Sequence, residues 1–129
     1  MNGRISLDTN IVIRLFKNDP AVIKMLADLS IVYLPVPVVA EILFTVRNSF
    51  HQTKNLKIYN EFIDACNVLN ITRETANFYS IIRLELKNKG WPIPENDLWI
   101  ASVCMEQNMP LVTGDAHFDN ISGLKVVKW

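Results

Sequence analysis

The chain has 129 residues, the length of one ordinary domain. Half of these are hydrophobic and 20% are charged, enough apolar side chains for a packed core and too many for a disordered tail. Thirteen Lys and Arg balance thirteen Asp and Glu, which excludes the strongly basic field of a general nucleic-acid or membrane-surface binder.

In chain order, Met1-Asn2-Gly3-Arg4 leads straight into a strand-like run with no apolar leader segment. Ile5-Ser6-Leu7 is a short strand ending at Asp8, and Asn10 is read as the N-cap of a helix reaching about Lys17. Asp19-Pro20 opens a second helix with Val22, Ile23, Leu26 and Leu29 at helical spacing. Ile31 to Leu34 is a β-branched strand closed by Pro35 and Pro37. The next helix carries a stripe of Val39, Ile42, Leu43, Val46 and Phe50, and Leu56 to Cys66 continues as helix. Val68 to Ile71 is a third strand. Thr72 or Arg73 then starts a helix bearing Phe78, Tyr79, Ile82 and Leu86, which stops at Gly90.

Pro92 and Pro94 precede a helix from about Glu95 to Gln107 that is apolar nearly all round, the mark of a helix enclosed by its own protein. Pro110 to Thr113 is a fourth strand ending at Gly114-Asp115, and Leu124 to Val127 a fifth. Strands alternating with helices predict a three-layer α/β/α sandwich with a four- to five-stranded, mainly parallel sheet, in one domain over residues 1–129. Apolar runs fall far short of the ~20 residues a membrane-spanning helix needs. Cys66 and Cys104, each in an apolar segment, offer no disulfide framework, so the expected compartment is the cytosol.

In an open parallel sheet, ligands bind beyond the carboxyl ends of the strands. Asp8 and Asp115 fall at such ends, Asp97 lies in a helical first turn, and Glu41 sits one turn into the helix after the second strand. Topology can bring all four to one sheet edge. Carboxylates a few ångströms apart repel by roughly 4 kcal/mol per pair at an effective dielectric near 20, and desolvation adds to the cost. A hard, oxygen-preferring cation such as Mg²⁺ or Mn²⁺ removes that conflict and supports phosphodiester hydrolysis. Taken singly, each acid also has an ordinary reading. Asp97 can be a helix-dipole or cap residue, Asp8 and Asp115 turn acids, and Glu41 a solvated helix position.

These residues resemble the motifs of a known family. Leu7-Asp8-Thr9-Asn10 resembles the opening motif of PIN domains, the nuclease fold of VapC-type toxins. Val39-Ala40-Glu41-Ile42 resembles the helix carrying that family's second acid. Asn96-Asp97-Leu98-Trp99-Ile100-Ala101 resembles its third motif, and Leu111-Val112-Thr113-Gly114-Asp115-Ala116-His117-Phe118 its last. The resemblance covers essentially the whole chain, in order.

The resemblance implies a ribonuclease toxin dependent on Mg²⁺ or Mn²⁺, with Asp8, Glu41, Asp97 and Asp115 as its metal-binding acids. Asp8 and Asp97 are the foremost direct ligands. Asn10 would cap its helix and hold Asp8 in place, and Thr113 would bond a metal-bound water or a neighbouring carboxylate. Asp119 is a weaker candidate, read first as a surface turn acid. The implied partners are RNA, a cognate antitoxin whose tail enters the acidic groove, and a second copy of the chain in a homodimer, within a larger toxin–antitoxin assembly.

With four acids neutralised by metal, nine face thirteen bases, a balance of +4. Arg14, Lys17, Arg47, Lys54, Lys57, Arg83, Lys87 and Lys89 could then flank the groove and meet phosphates. His51 and His117 lack metal-ligand spacing and are read as surface or turn residues, with a substrate contact as the other reading of His117, which lies two residues past Asp115. The cysteines are read as small core residues. Phe50, Tyr59 and Phe62 are read as core, with a dimer face as the other reading. Two further functional readings are open. One is a catalytically silent PIN domain that binds RNA or a protein. The other is a phospho-receiver domain, which would want an acid pair after strand one where only Asp8 stands.

Overall fold

The computed structural model describes residues 4–29 and 31–129. Met1 to Gly3, read as the lead into the first strand, lie outside the described residues. Five parallel strands form one sheet in the order β3-β2-β1-β4-β5. They are β1 (Arg4–Leu7), β2 (Ile31–Pro35), β3 (Asn67–Leu69), β4 (Leu111–Thr113) and β5 (Val126–Lys128). The helices α1 (Thr9–Phe16), α2 (Pro20–Ala27), α3 (Val36–Arg47), α4 (Gln52–Ala65), α5 (Arg73–Lys89) and α6 (Glu95–Glu106) flank it, and a 3-10 helix spans Ala116–Asn120. The expected α/β sandwich stands, with all five strands parallel.

The central strand shows why the sheet is enclosed. Ile5, Ser6 and Leu7 are all buried, as a parallel strand covered on both faces requires. The Ser6 hydroxyl avoids an unmet bond by donating to the Pro110 carbonyl at 2.8 Å. Leu7, Ile11, Leu34, Ile42, Leu111 and Phe118 are wholly inaccessible. Each such side chain contributes about 1.5–3 kcal/mol by leaving water. Helix α6 meets its expectation, with Leu98, Ile100, Ala101, Ser102, Val103 and Cys104 buried. It packs chiefly on α5 and also on α3.

Local chemistry sets the ends of the helices. Asp19 caps α2 by accepting from the Ala21 amide at 3.0 Å, with Pro20 in the first turn. A reciprocal box of Thr72 and Thr75 opens α5, and both hydroxyls also donate to Glu106 at the end of α6. Gly90 closes α5 in the left-handed region at φ 67°.

Several expectations are corrected. The cap of α1 is Asp8, not Asn10: Asp8 has extended backbone and its carboxylate accepts from the Thr9 amide. The apolar stripe of α3 ends with the helix at Arg47, so Phe50 lies beyond it and is fully exposed. Tyr59 and Phe62, by contrast, keep their expected core reading, packed on Phe16 at ring distances of 4.0 and 5.4 Å. The third strand ends at Leu69, leaving Ile71 exposed, and the fifth starts at Val126. Among the described residues no helix is long and apolar enough to cross a membrane.

Candidate metal centre

The strand order fixes where a ligand can lie. From β1 the chain steps to β2 and β3 on one side, then returns to β4 on the other. The connections leaving β1 and β4 therefore diverge, which opens a crevice at their carboxyl ends. Asp8 follows β1 at that point, and Gly114-Asp115 follows β4. The Asp8 amide donates to the Val112 carbonyl at 2.9 Å, which ties the two strand ends together.

Asp8 is only 5% exposed, yet its carboxylate is well provided with donors. The Thr9 amide reaches Oδ1 at 2.8 Å, and the Thr113 hydroxyl reaches Oδ2 at 2.7 Å. The Asn10 amide nitrogen approaches Oδ2 at 3.4 Å. Thr113 in turn accepts from the Asp115 amide at 2.9 Å, so one buried hydroxyl orients acids from both strands. The Asn10 side-chain oxygen accepts from Gly114 N–H at 3.3 Å. Asn10 thus joins α1 to the turn after β4 rather than capping α1.

Asp97 and Asp115 meet around a residue that sequence reasoning set aside. His117 Nδ1 lies 2.8 Å from Asp97 Oδ2 and 3.1 Å from Asp115 Oδ2. Its own amide donates to Asp115 Oδ1 at 3.0 Å. The sequence held part of this signal. Asp115 caps the 3-10 helix, and two residues on such a tight turn can bring the imidazole back over the capping carboxylate. The approach of Asp97 from α6 is a tertiary fact that no local spacing shows.

Glu41 reaches the same place from α3 through Thr9, whose hydroxyl donates to Glu41 Oε1 at 3.0 Å. Asp8, Asn10, Glu41, Asp97 and Asp115 all line one open cleft of about 440 Å³, joined by Thr9, Ile13, Arg14 and Lys17. The four acids singled out from the sequence are thus brought together, with Thr113 buried behind Asp8. Beside Glu41, exposed Phe44 and Asn96 line an adjoining hollow.

Crowding of the carboxylates shows in their acidities. Burial raises the Asp8 carboxyl above the usual carboxylate range, with Asp97 and Asp115 adding to the shift against the Thr113 and Thr9 bonds. Burial likewise raises Glu41, helped by Asp8 and Asp97. It raises Asp97 too, against the favourable His117 contact. The hydrogen bond that the protonated imidazole donates to Asp97 raises His117. Oxygen-rich, half-desolvated and mutually repelling, this donor set fits a hard divalent cation.

Other candidates lie elsewhere. Asp119 is exposed and pairs with Lys128 at 3.0 Å, as a surface acid does. Of the eight basic residues considered, Arg14 and Lys17 line the cleft. Arg14 is engaged by Asp19 at 2.9 Å and by the Trp129 carbonyl at 2.6 Å. Arg83 pairs with Glu95 and Lys89 with Glu85. A second hollow of about 410 Å³, between α5 and the Pro92–Ile93 segment, has Glu95 as its one acid. Burial pushes the thiols of Cys66 and Cys104 up to about 11 and about 12, so neither is a ready nucleophile.

Comparison with known proteins gives a consistent answer. The sequence pattern of the PIN domain matches residues 5–124. Ribonuclease VapC2 of Rickettsia felis is 28% identical over 95% of this chain and 96% of its own. The tRNA(fMet)-specific endonuclease VapC of Shigella flexneri is 27% identical over 98% of each chain. Among solved structures, a chain of the Rickettsia felis VapBC2 complex bound to a promoter DNA fragment superposes with a TM-score of 0.88 at 27% identity. It covers 97% of this chain and 98% of that one.

Proposed function

The chain belongs to the PIN domain family, and on that footing we propose that it is a divalent-metal-dependent endoribonuclease, the toxin half of a type II toxin–antitoxin pair. The single observation that carries the reading is the convergence of Asp8, Glu41, Asp97 and Asp115 on one cleft at the sheet's switch point. The names of the relatives, ribonuclease and endonuclease, point to the same reaction, and a neighbour solved as a VapBC complex points to an antitoxin partner. The strand order also differs from the 2-1-3-4-5 order of receiver domains.

Asp8, Asp97, Asp115 and Glu41 would hold Mg²⁺ or Mn²⁺, with Asp8 and Asp97 as the foremost direct ligands. When bound, such an ion lowers the pKa of a coordinated water and offsets charge building on the phosphate. The protein does the rest. Thr113 and Thr9 fix the Asp8 carboxylate before any ligand arrives, so its orientation costs nothing at the moment of reaction. Glu41, half-buried and with a raised pKa, is a better proton acceptor than a solvated glutamate and faces the same cleft. Lys17 at the rim offers an ammonium to a neighbouring phosphate. The whole chain, 1–129, acts as one unit, in the cytoplasm, with RNA as substrate. A homodimer belongs to this proposal. Ile81, Leu84 and Trp91 leave an apolar surface exposed along α5 and just beyond it, the kind of surface a partner covers.

The test is RNA cleavage by the purified chain with Mg²⁺ or Mn²⁺, with EDTA, and with Asp97→Asn. Cleavage should stop in EDTA. It should fall by about 100-fold or more in the variant, the scale of losing one group that stabilises the transition state. Equal cleavage by wild type and a folded Asp97→Asn would remove the cluster from the chemistry. Absence of cleavage by wild type across total RNA would leave the silent-domain reading in its place.

A further inference from the structure

The imidazole of His117 lies against two of the acids. Its Nδ1 is 2.8 Å from Asp97 Oδ2 and 3.1 Å from Asp115 Oδ2. The three side chains offer ligand atoms that all lie within 4.8 Å of one another. Two ligands about 2.1 Å from an ion and at right angles to each other lie about 3.0 Å apart, so these spacings suit neighbouring corners of an octahedral shell. The nitrogen has one lone pair in the ring plane, so a single electrophile placed between it and both carboxylates satisfies all three. In the metal-free protein a proton can fill that role.

The ring is also held in place. The His117 amide is bonded to Asp115 Oδ1 at 3.0 Å, and the next residue, Phe118, is fully buried. Lys128 donates to the Asp115 carbonyl at 2.7 Å, which anchors the turn from β5. His117 remains 47% exposed at its side chain, so an ion can reach the nitrogen without opening the fold.

We infer that His117 is a nitrogen ligand of this centre, which makes the site a mixed nitrogen–oxygen set that holds a first-row transition ion more tightly than an all-carboxylate set would. Imidazole adds affinity for ions such as Co²⁺ along the Irving–Williams order and adds little for Mg²⁺, a hard ion that prefers oxygen. The inference rests on the reading that these acids bind a cation. It does not rest on RNA cleavage.

The test is calorimetric titration of the full chain with CoCl₂ and with MgCl₂. Every protein carries His51→Asn, so that the second of the two histidines cannot contribute. His117→Asn should lower Co²⁺ affinity by about 10-fold or more while changing Mg²⁺ affinity by less than about threefold. A second readout needs no variant at position 117: proton NMR of the Co²⁺-loaded chain should show a paramagnetically shifted, exchangeable imidazole N–H resonance. Unchanged Co²⁺ affinity in His117→Asn together with no shifted resonance would overturn the inference. So would tighter binding of both ions, which would make the imidazole a displaced counter-ion. Asp97→Asn separates the two ideas. If it binds both ions as tightly as wild type does, the acidic centre itself fails. If it loses both while His117→Asn loses neither, only the histidine is wrong.

Discussion

The Thr113 hydroxyl donates to Asp8 Oδ2 at 2.7 Å and accepts from the Asp115 amide at 2.9 Å. A fully buried threonine on β4 thereby orients the acid that ends β1 and the acid that follows β4. Valine keeps the shape and removes both bonds. Thr113→Val leaves a buried carboxylate short of a donor and a half-buried amide without its acceptor, at a cost of about 1–3 kcal/mol. The expected outcome is a melting temperature lower by roughly 4–10 °C and a cleavage rate reduced at saturating metal, with Thr113→Ser close to wild type in both. A Thr113→Val protein as stable and active as wild type would show that the hydroxyl orients nothing.

Asp8 is stabilised by its donors and strained by its neighbours, and the two can be separated. Burial and the charges of Asp97 and Asp115 outweigh the bonds from Thr113 and Thr9, since the net shift of its acidity is upward. Asp8→Asn removes a charge from that crowd while retaining a side-chain oxygen for the Thr113 hydroxyl or the Thr9 amide. In EDTA at neutral pH the variant should therefore melt at or above the wild-type temperature while losing cleavage, the exchange of stability for function seen at many active sites. The check is paired thermal melts and RNA cleavage. A large fall in melting temperature without metal would mean that the carboxylate is mainly structural.

The parts of this site that were legible in the sequence were those set by one strand end or one helical turn. Asp8 and Asp115 fall where short strand-like runs stop, and Asp97 falls in the first turn of an apolar helix, so their placement at one sheet edge follows from topology. Three successive residues, Asp8, Thr9 and Asn10, can each cap a helix, and sequence alone does not choose among them. The extended backbone at the end of β1 gives the role to Asp8 and frees Asn10 to reach the Gly114 amide. Phe50 continued the 3.6-residue period of α3 beyond the point where the helix ends. Most of the basic residues that composition made available for RNA do not line the cleft, and several are taken up by nearby acids, as Arg83 is by Glu95. His117 was missed because its partner Asp97 is brought to it by packing of α6 against the 3-10 helix.

Stability should depend on pH in a direction set by the raised acids. Asp8, Glu41 and Asp97 all hold their protons to higher pH in the fold than in the unfolded chain. As pH rises from the ordinary carboxylate range near ~4, the unfolded chain releases these protons first, and stability falls until the folded groups have titrated as well. His117 acts in the same direction. Its raised pKa contributes stability that is complete below the ordinary histidine value and lost as pH rises through the folded one. Without metal, the melting temperature should therefore be highest in mild acid and decline towards pH ~8. Millimolar Mg²⁺ or Mn²⁺ binds the ionised cluster in the folded state alone and should flatten that decline, adding about 2.7 kcal/mol at a hundred times its Kd. Parallel melting curves with and without the ion across this range would show that the acids do not share a cation.

Lys17 and Lys54 make a matched pair for asking which charges meet RNA. Lys17 caps the carboxyl end of α1 at the rim of the acidic cleft, while Lys54 lies on α4 outside its lining. Both are exposed lysines, so neither substitution should disturb the core. Each phosphate neutralised by a cation releases counter-ions and adds about 0.7 to the slope of log affinity against log salt for single strands. Lys17→Gln in an Asp97→Asn background, where RNA is bound without being cut, should weaken binding across sequences and reduce that slope by about 0.7. Lys54→Gln should leave affinity and slope as they were. The reverse order, with Lys54 mattering and Lys17 silent, would place the RNA path across α4 instead of along the cleft that holds the acids.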